Sequence, residues 1–330
     1  MNLQIVIKTF AENHNIIAGI CDTSSLNPER YISAMNKTPF VSQNIKKRTD
    51  PEEIFPYAKS IIAIGVGQDI PQLPNNPVQN FVTPLGKGGA PPSQANNLTG
   101  GVMAQLSSLG VDHDYHIRVK AILKKLAGHL AESHENLKFK ILVDSPNLDE
   151  RAFAHRAGIG FFGRNGLIIS EKFGTRFNIG LLLTNIPLNS TEETQKEKIF
   201  QGCPEDCRLC IDACPGNALQ HLEQNGINPD VCISYLTQKQ ENLTEKEKSL
   251  IGNQLYGCDI CQDVCPFNKI ENGVQINPQE WLISSYEALH EKYAHTAMMW
   301  RGTEILRRNA KIVMNNLGPT AHTITNNREC

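Results

Sequence analysis

Eight of the ten cysteines lie between Cys203 and Cys265, in two runs. The first is Cys203-x3-Cys207-x2-Cys210-x3-Cys214-Pro215; the second is Cys232, then Cys258-x2-Cys261-x3-Cys265-Pro266. Thiolates two or three residues apart can point at one iron–sulfur cube from a single tight loop, and the cysteine before the proline reaches to the other cube. The spacing therefore predicts two [4Fe–4S] clusters in a ferredoxin-like module. One would be held by Cys203, Cys207, Cys210 and Cys265, the other by Cys214, Cys232, Cys258 and Cys261. The gap after Cys203 is one residue longer than in the bacterial ferredoxin run, which a bulge would accommodate. Paired CxxC motifs also bind zinc, but two Cys-x3-Cys-Pro endings are hard to explain with zinc. Disulfides need an oxidising compartment and usually a small secreted chain. Cys21 and Cys330 stand apart and read as a core thiol and an exposed terminal thiol. A double cluster moves single electrons, so the remainder of the chain must hold what receives them.

The elements that would position this chemistry are legible in the hydrophobic pattern. SIIAIGVG (60–67) is a short apolar strand ended by glycine and proline signals. Residues 71–101 are rich in Pro, Gly, Asn and Gln and read as a long loop. From Tyr115, residues Val119, Ile122, Leu123, Leu126 and Leu130 recur at helical spacing among lysines, an amphipathic helix. KFKILVD (138–144) reads as a strand ending on Asp144, with a helix starting near Leu148. GLIIS (166–170) and RFNIGLLLTNIPL (176–188) read as two further strands. Residues 191–200 are charged and polar, as a linker would be. From Gln279 the chain turns helical, with Ile305, Leu306, Ala310, Val313 and Leu317 on one face. The fold class expected is α+β: an N-terminal α/β domain over 1–190, the cluster module over 191–275 and a short helical tail over 276–330.

Totals narrow the function. With 330 residues, 40% of them hydrophobic, a real core is available. The net charge of −2 supplies no global field toward nucleic acid or membrane. No run approaches the roughly 18 apolar residues of a membrane span, and the first residues do not resemble a signal peptide. A cytoplasmic protein with no membrane partner is expected. The tail, however, is locally basic: Lys292, Arg301, Arg307, Arg308, Lys311 and Arg328 face only Glu304 and Glu329. Lys and Arg of this kind could contact RNA phosphates, or form the solvated face of a helix closing the cluster module. Asp144 stands at the C-terminal end of a predicted strand, where sites in α/β folds are built. It could equally cap the helix that follows.

The blocks CISYLTQKQENL and IGNQLYGCDICQDVCPFN (within 232–268) and VDSPNLDERAFAHRAGIGFFGRNGLII (143–169) resemble the epoxyqueuosine reductase family. IKKRTDPEEIFPYAKSIIAIG (45–65) and GVDHDYHIRV (110–119) resemble it more weakly. The family is similar to the reductive dehalogenases in cofactor and module. The resemblance implies a cob(II)alamin bound between an α/β cobalamin- and substrate-binding domain and the cluster module. It implies reduction of epoxyqueuosine to queuosine in the anticodon loop of a tRNA. Reduced cobalt can attack or reduce the epoxide carbon, and the departing oxygen then needs a proton. Asp144 matches the family's acid, and a carboxyl donating a proton near neutral pH needs a raised pKa, which an apolar pocket would provide.

Other positions are implied as cofactor contacts. Arg48 matches an arginine used near cobalamin; otherwise it belongs to a solvated basic run with Lys46 and Lys47. Ser107 aligns with a cofactor contact. Ile168 and Ile179 align with residues touching the corrin; otherwise they are sheet core. Asp259 and Ile260 would lie on the cofactor side of the cluster loop. Arg164 and Asn165 occupy a Lys/Asn position of the family, where arginine does not simply replace lysine. Tyr115 and His116 lie in the DYH block, where His116 reads as a ligand or proton relay, or as a capping or helix-face residue. The expected partners are a tRNA and a one-electron donor such as ferredoxin or flavodoxin, with the protein a monomer. Two other readings stay open: a cobalamin and iron–sulfur reductase of another substrate, and an electron carrier without cobalamin.

Overall fold

The computed structural model describes residues 2–29, 40–68, 102–111, 113–190, 202–220, 227–268 and 274–318. The expected loop 71–101, the linker 191–200, Arg328 and Cys330 lie outside the described residues. Nine strands are described: β1 (Ile17–Cys21), β2 (Ser60–Gly67), β3 (Ala104–Leu106), β4 (Phe139–Leu142), β5 (Phe161–Phe162), β6 (Ile168–Ile169), β7 (Phe177–Thr184), β8 (Gln254–Tyr256) and β9 (Val274–Ile276).

The central sheet has the order β1-β2-β7-β4, and each neighbouring pair is antiparallel. Helices nevertheless cover both faces, which explains the unbroken apolar runs of β2 and β7: alternate side chains enter different cores. Ile62, Ile64 and Val66 join Leu3, Ile7 and Phe10 of the helix Leu3–Asn13 and Val119, Leu123, Leu126 and Leu130 of the helix Tyr115–Ala131. Ile61 and Ala63 join Ala152, Phe153 and Ala154 of the helix Glu150–Arg156, together with Phe162 and Ile168. A Cβ at Gly180 would meet Val119 Cγ1 at 2.5 Å and Leu123 Cδ1 at 2.9 Å, so this glycine lets the long helix lie close on β7.

A second core surrounds the three-stranded sheet β8-β3-β9, in which β3 runs parallel to β8 and antiparallel to β9. Trp281, Tyr293, Met298, Leu306, Ala310 and Val313 fill it, so the helix Thr303–Leu317 buries its apolar stripe here. The stripe ends short of expectation: Leu317 at the last turn stays 38% exposed. Residues 104–111, early in the chain, thus belong to a layer built largely from residues after 250. Among the described residues no helix is long and apolar enough to cross a membrane.

Candidate active site and cluster module

Asp144 lies two residues beyond the end of β4, with φ of 51°, a left-handed backbone that a residue other than glycine holds only when its surroundings enforce it. Glu150 enforces it. Its two carboxylate oxygens accept the backbone N–H of Asp144 at 2.9 Å and of Ser145 at 2.8 Å. Burial pushes the Glu150 carboxyl up to about 8, against the pull of these two donors. The helix Glu150–Arg156 is capped by Asp149, whose side chain accepts the N–H of Ala152 at 3.2 Å, so capping is not the work of Asp144.

The start of the long helix supplies the partners of Asp144. Asp114 caps that helix and accepts from the His116 N–H and ring Nδ1. Tyr115 donates its hydroxyl to Asp144 Oδ2 at 2.7 Å, and His116 Nε2 stands 3.5 Å from the same oxygen. Tyr115 and His116 stack with ring centroids 4.1 Å apart. The pair with His116, with Tyr115 adding to it, holds the solvent-exposed Asp144 carboxyl below its usual range. His116 is raised in turn, first by Asp144 and then by Asp114, with burial opposing. The raised carboxyl expected at Asp144 is therefore found at Glu150, because Asp144 faces a cation and a hydroxyl where an apolar wall was expected. His116 is held by the capping residue Asp114 on one side and by Asp144 on the other.

Arg48 is 7% exposed while Lys46 and Lys47 are solvated. Its Nη1 donates to the carbonyl of Leu148 at 2.9 Å, and it faces Asp149 at 3.7 Å, so it braces the Asp144 turn from behind. Its Nε is buried without a partner, as is the side-chain nitrogen of Asn165. Arg164 donates to the carbonyl of Glu205 at 2.6 Å. Ile168 is buried in the sheet core and Ile179 is partly buried against it.

None of the eight cysteines forms a disulfide, and the thiols that are shifted feel their neighbours in two sets. After burial, Cys210 is raised by Cys203, Cys207 and Cys265, to about 11. Cys258 is raised, after burial, chiefly by Cys232, then Asp259 and Cys214, to about 12. Cys261 feels Cys258 and Cys232 first, and Cys210 of the other group last. Thiols this unwilling to ionise need a cation to become thiolates, which iron supplies. Among the described residues no three His, Cys, Asp or Glu converge as a single-ion site; a cube spreads its ligands over four corners and asks for no such point.

The cluster loop is fastened to the central sheet. Arg176, just before β7, bonds Ser108 Oγ at 2.7 Å and Asp259 Oδ2 at 3.0 Å, and also pairs with Asp263. Asp259 further accepts the Ser108 N–H at 2.7 Å and Gln262 Nε2 at 2.8 Å. Ser107 Oγ accepts the Gly110 N–H at 3.2 Å. Gly257 sits at φ 67°, and a Cβ there would meet Ser107 Oγ at 2.1 Å. The sequence reading missed the roles of Glu150 and Arg176. Glu150 stands in the charged run Asp149–Arg151 and Arg176 beside an apolar run, and neither announces which backbone or carboxylate it will meet.

Tyr256, buried at the end of β8, is raised by burial, with the charge of Asp144 adding to it. Two residues later comes Cys258.

Residues 48–145 match the family model described as epoxyqueuosine reductase QueG, and residues 203–268 match the 4Fe-4S double cluster binding domain. The epoxyqueuosine reductase of Staphylococcus aureus is 34% identical over 297 residues, which span 87% of this chain and 71% of that one. This chain belongs to the epoxyqueuosine reductase family. It is an oxidoreductase with a double [4Fe–4S] domain. The family enzyme of Bacillus cereus is 33% identical over 287 residues, 83% of this chain and 68% of that one. The solved family structure from Streptococcus thermophilus superposes with a TM-score of 0.78 at 29% identity, covering 96% of this chain and 82% of that one. Another epoxyqueuosine reductase, solved with an epoxyqueuosine-modified tRNA-Tyr stem loop, gives 0.75 at 26% identity over 95% of this chain and 82% of that one.

Proposed function

We propose that this chain reduces epoxyqueuosine to queuosine in the anticodon loop of a tRNA in the cytoplasm. The observation that carries the reading is the strand-end carboxyl of Asp144 held by Tyr115 at 2.7 Å and His116 at 3.5 Å in a chain that also bears a double [4Fe–4S] domain. Removing an epoxide oxygen as water takes two electrons and two protons, so a redox group and a proton source must face one substrate.

The quartet Cys203, Cys207, Cys210 and Cys265 is assigned to one cluster and Cys214, Cys232, Cys258 and Cys261 to the other. Arg48, Ser107, Asp144, Ile168, Ile179 and Asp259 are assigned to the side on which a cobalamin would bind, with Ile168 backing it from the core. The unpartnered nitrogens of Asn165 and Arg48 are donors that a carboxamide-rimmed corrin would satisfy. Ser107 and Asp259 already bond within the protein, so they shape this side. When bound, the clusters supply single electrons, received from a donor such as ferredoxin or flavodoxin, and the cobalamin supplies a low-valent cobalt able to attack or reduce an epoxide carbon.

The chain's own residues manage the proton. Tyr115 and His116 both address Asp144 Oδ2, which fixes the carboxyl and leaves Oδ1 for substrate. His116, raised by its two aspartates, keeps its proton further into the neutral range and can replenish Asp144 after each transfer. Glu150 holds the turn that aims the acid. Asp144→Asn keeps the shape and breaks the relay from His116 to the substrate. Turnover of an epoxyqueuosine-bearing stem loop should fall at least about a hundredfold, with RNA affinity retained. Near-normal turnover would remove Asp144 from the mechanism.

A further inference from the structure

Two large rings stand in solvent on the Tyr256 side of the site. Trp300 is 53% and Phe40 47% exposed. They meet edge to face at 5.5 Å, with Tyr235 5.5 Å from Phe40 as a third ring. The Arg301 guanidinium carbon lies 3.9 Å from the Trp300 centroid and 4.5 Å from that of Phe40. Among the described residues no carboxylate pairs with Arg301, and its Nε has no hydrogen-bond partner. The cluster is held in place. The Trp300 indole N–H donates to the Tyr256 hydroxyl at 2.7 Å and reaches Gln238 Oε1 at 3.2 Å. Phe40 keeps its position at φ 65°, a left-handed backbone unfavourable for a bulky residue. Just beyond, the helix Thr303–Leu317 carries Arg307, Arg308 and Lys311 around a cavity of about 300 Å³.

We propose that Phe40, Trp300 and Arg301 form a shelf on which an unpaired RNA base stacks, next to the nucleotide that reacts at Asp144. The inference rests on the tRNA reading above. Exposed rings with an unneutralised guanidinium match the π-face of a base and the charge of its phosphate together. A protein partner would require Arg301 to find a carboxylate. Backbone contacts link the shelf to the site: the Asp114 N–H donates to the His295 carbonyl at 2.8 Å and His113 bridges Thr296, which sets the segment leading to Trp300 against the helix start that carries Tyr115 and His116. The hydrogen bond from Trp300 holds the ring before RNA arrives, so little ordering remains to be done on binding.

Cluster-loaded protein titrated anaerobically with an unmodified anticodon stem-loop RNA provides the test. Of the two tryptophans, Trp281 is fully buried against Tyr293, so a change in emission reports on Trp300. Binding should quench that emission. Trp300→Ala and Arg301→Ala should each weaken binding by about five- to a hundredfold, and Trp300→Phe, which keeps a stacking ring, should recover most of it. Wild-type affinity in both alanine variants overturns the shelf, as does binding without quenching. If such variants bind normally while the parent converts epoxyqueuosine, the shelf alone is wrong. If the parent binds with quenching and converts nothing, the shelf stands and the reaction assignment falls. Failure of the parent to bind the stem loop overturns both.

Discussion

At the scale of single residues, the site is a set of charges sorted by their neighbours. Asp144 is kept ionised by His116 and Tyr115, whereas Glu150, six residues on, is pushed toward its neutral form by burial. The sign of the second effect gives a test. A carboxyl raised from 4.5 to about 8 on folding binds more protons folded than unfolded across that interval. Its contribution to stability is therefore complete below about 4.5 and is lost as pH rises toward about 8. Glu150→Gln removes this titration. Melting midpoints measured across the interval should fall with rising pH more steeply in the parent than in the variant; parallel curves would show that Glu150 does not titrate there. The variant should also lose turnover, because a glutamine offers one acceptor oxygen to two backbone donors. Sequence reading located Asp144 by its place at a strand end. It could not see that the following turn is left-handed, or that the cap is Asp149, because both depend on where Glu150 comes to rest.

At the scale of elements, local periodicity carried far and then stopped. SIIAIGVG is a strand over the residues read from its pattern, and the helix from Tyr115 follows its apolar spacing as far as Ala131. Strands of three residues such as β3, β8 and β9 have no period to read, and β3 pairs with segments about 150 and 170 residues away. Their register is set by tertiary contacts, among them the Ser107 N–H to the Tyr256 carbonyl at 2.9 Å. Gly257 is the sensitive point of that layer. Gly257→Ala places a methyl on Ser107 at positive φ, so it should cost about 1–3 kcal/mol and loosen the loop that begins at Cys258. Lower iron content after reconstitution, with a lower melting midpoint, is the expected result; a fully loaded, equally stable variant would show that the layer yields freely.

At the scale of the whole molecule, the proposed ligand sets make the two cysteine runs cross over. Cys265, from the later run, groups with Cys203, Cys207 and Cys210, and Cys214 from the earlier run groups with Cys232 and Cys258. The proposed crossover follows from the Cys-x3-Cys-Pro endings, because the cysteine before the proline ligates the other cube in two-cluster ferredoxins. Cys265→Ser should therefore disturb the same cluster as Cys203→Ser, and Cys214→Ser the other, as read by electron paramagnetic resonance of the reduced protein. Identical spectra for Cys265→Ser and Cys214→Ser would break the assignment. The latch from Arg176 to Asp259 and Asp263 then sets the electron carrier against the sheet that holds the acid. The most direct measurement is made on protein reconstituted with iron, sulfide and cobalamin, reduced, and mixed with an anticodon stem loop bearing epoxyqueuosine. The nucleosides released afterwards should contain queuosine in place of the epoxide. Protein that holds both clusters and the corrinoid, yet returns the epoxide unchanged, would contradict the account.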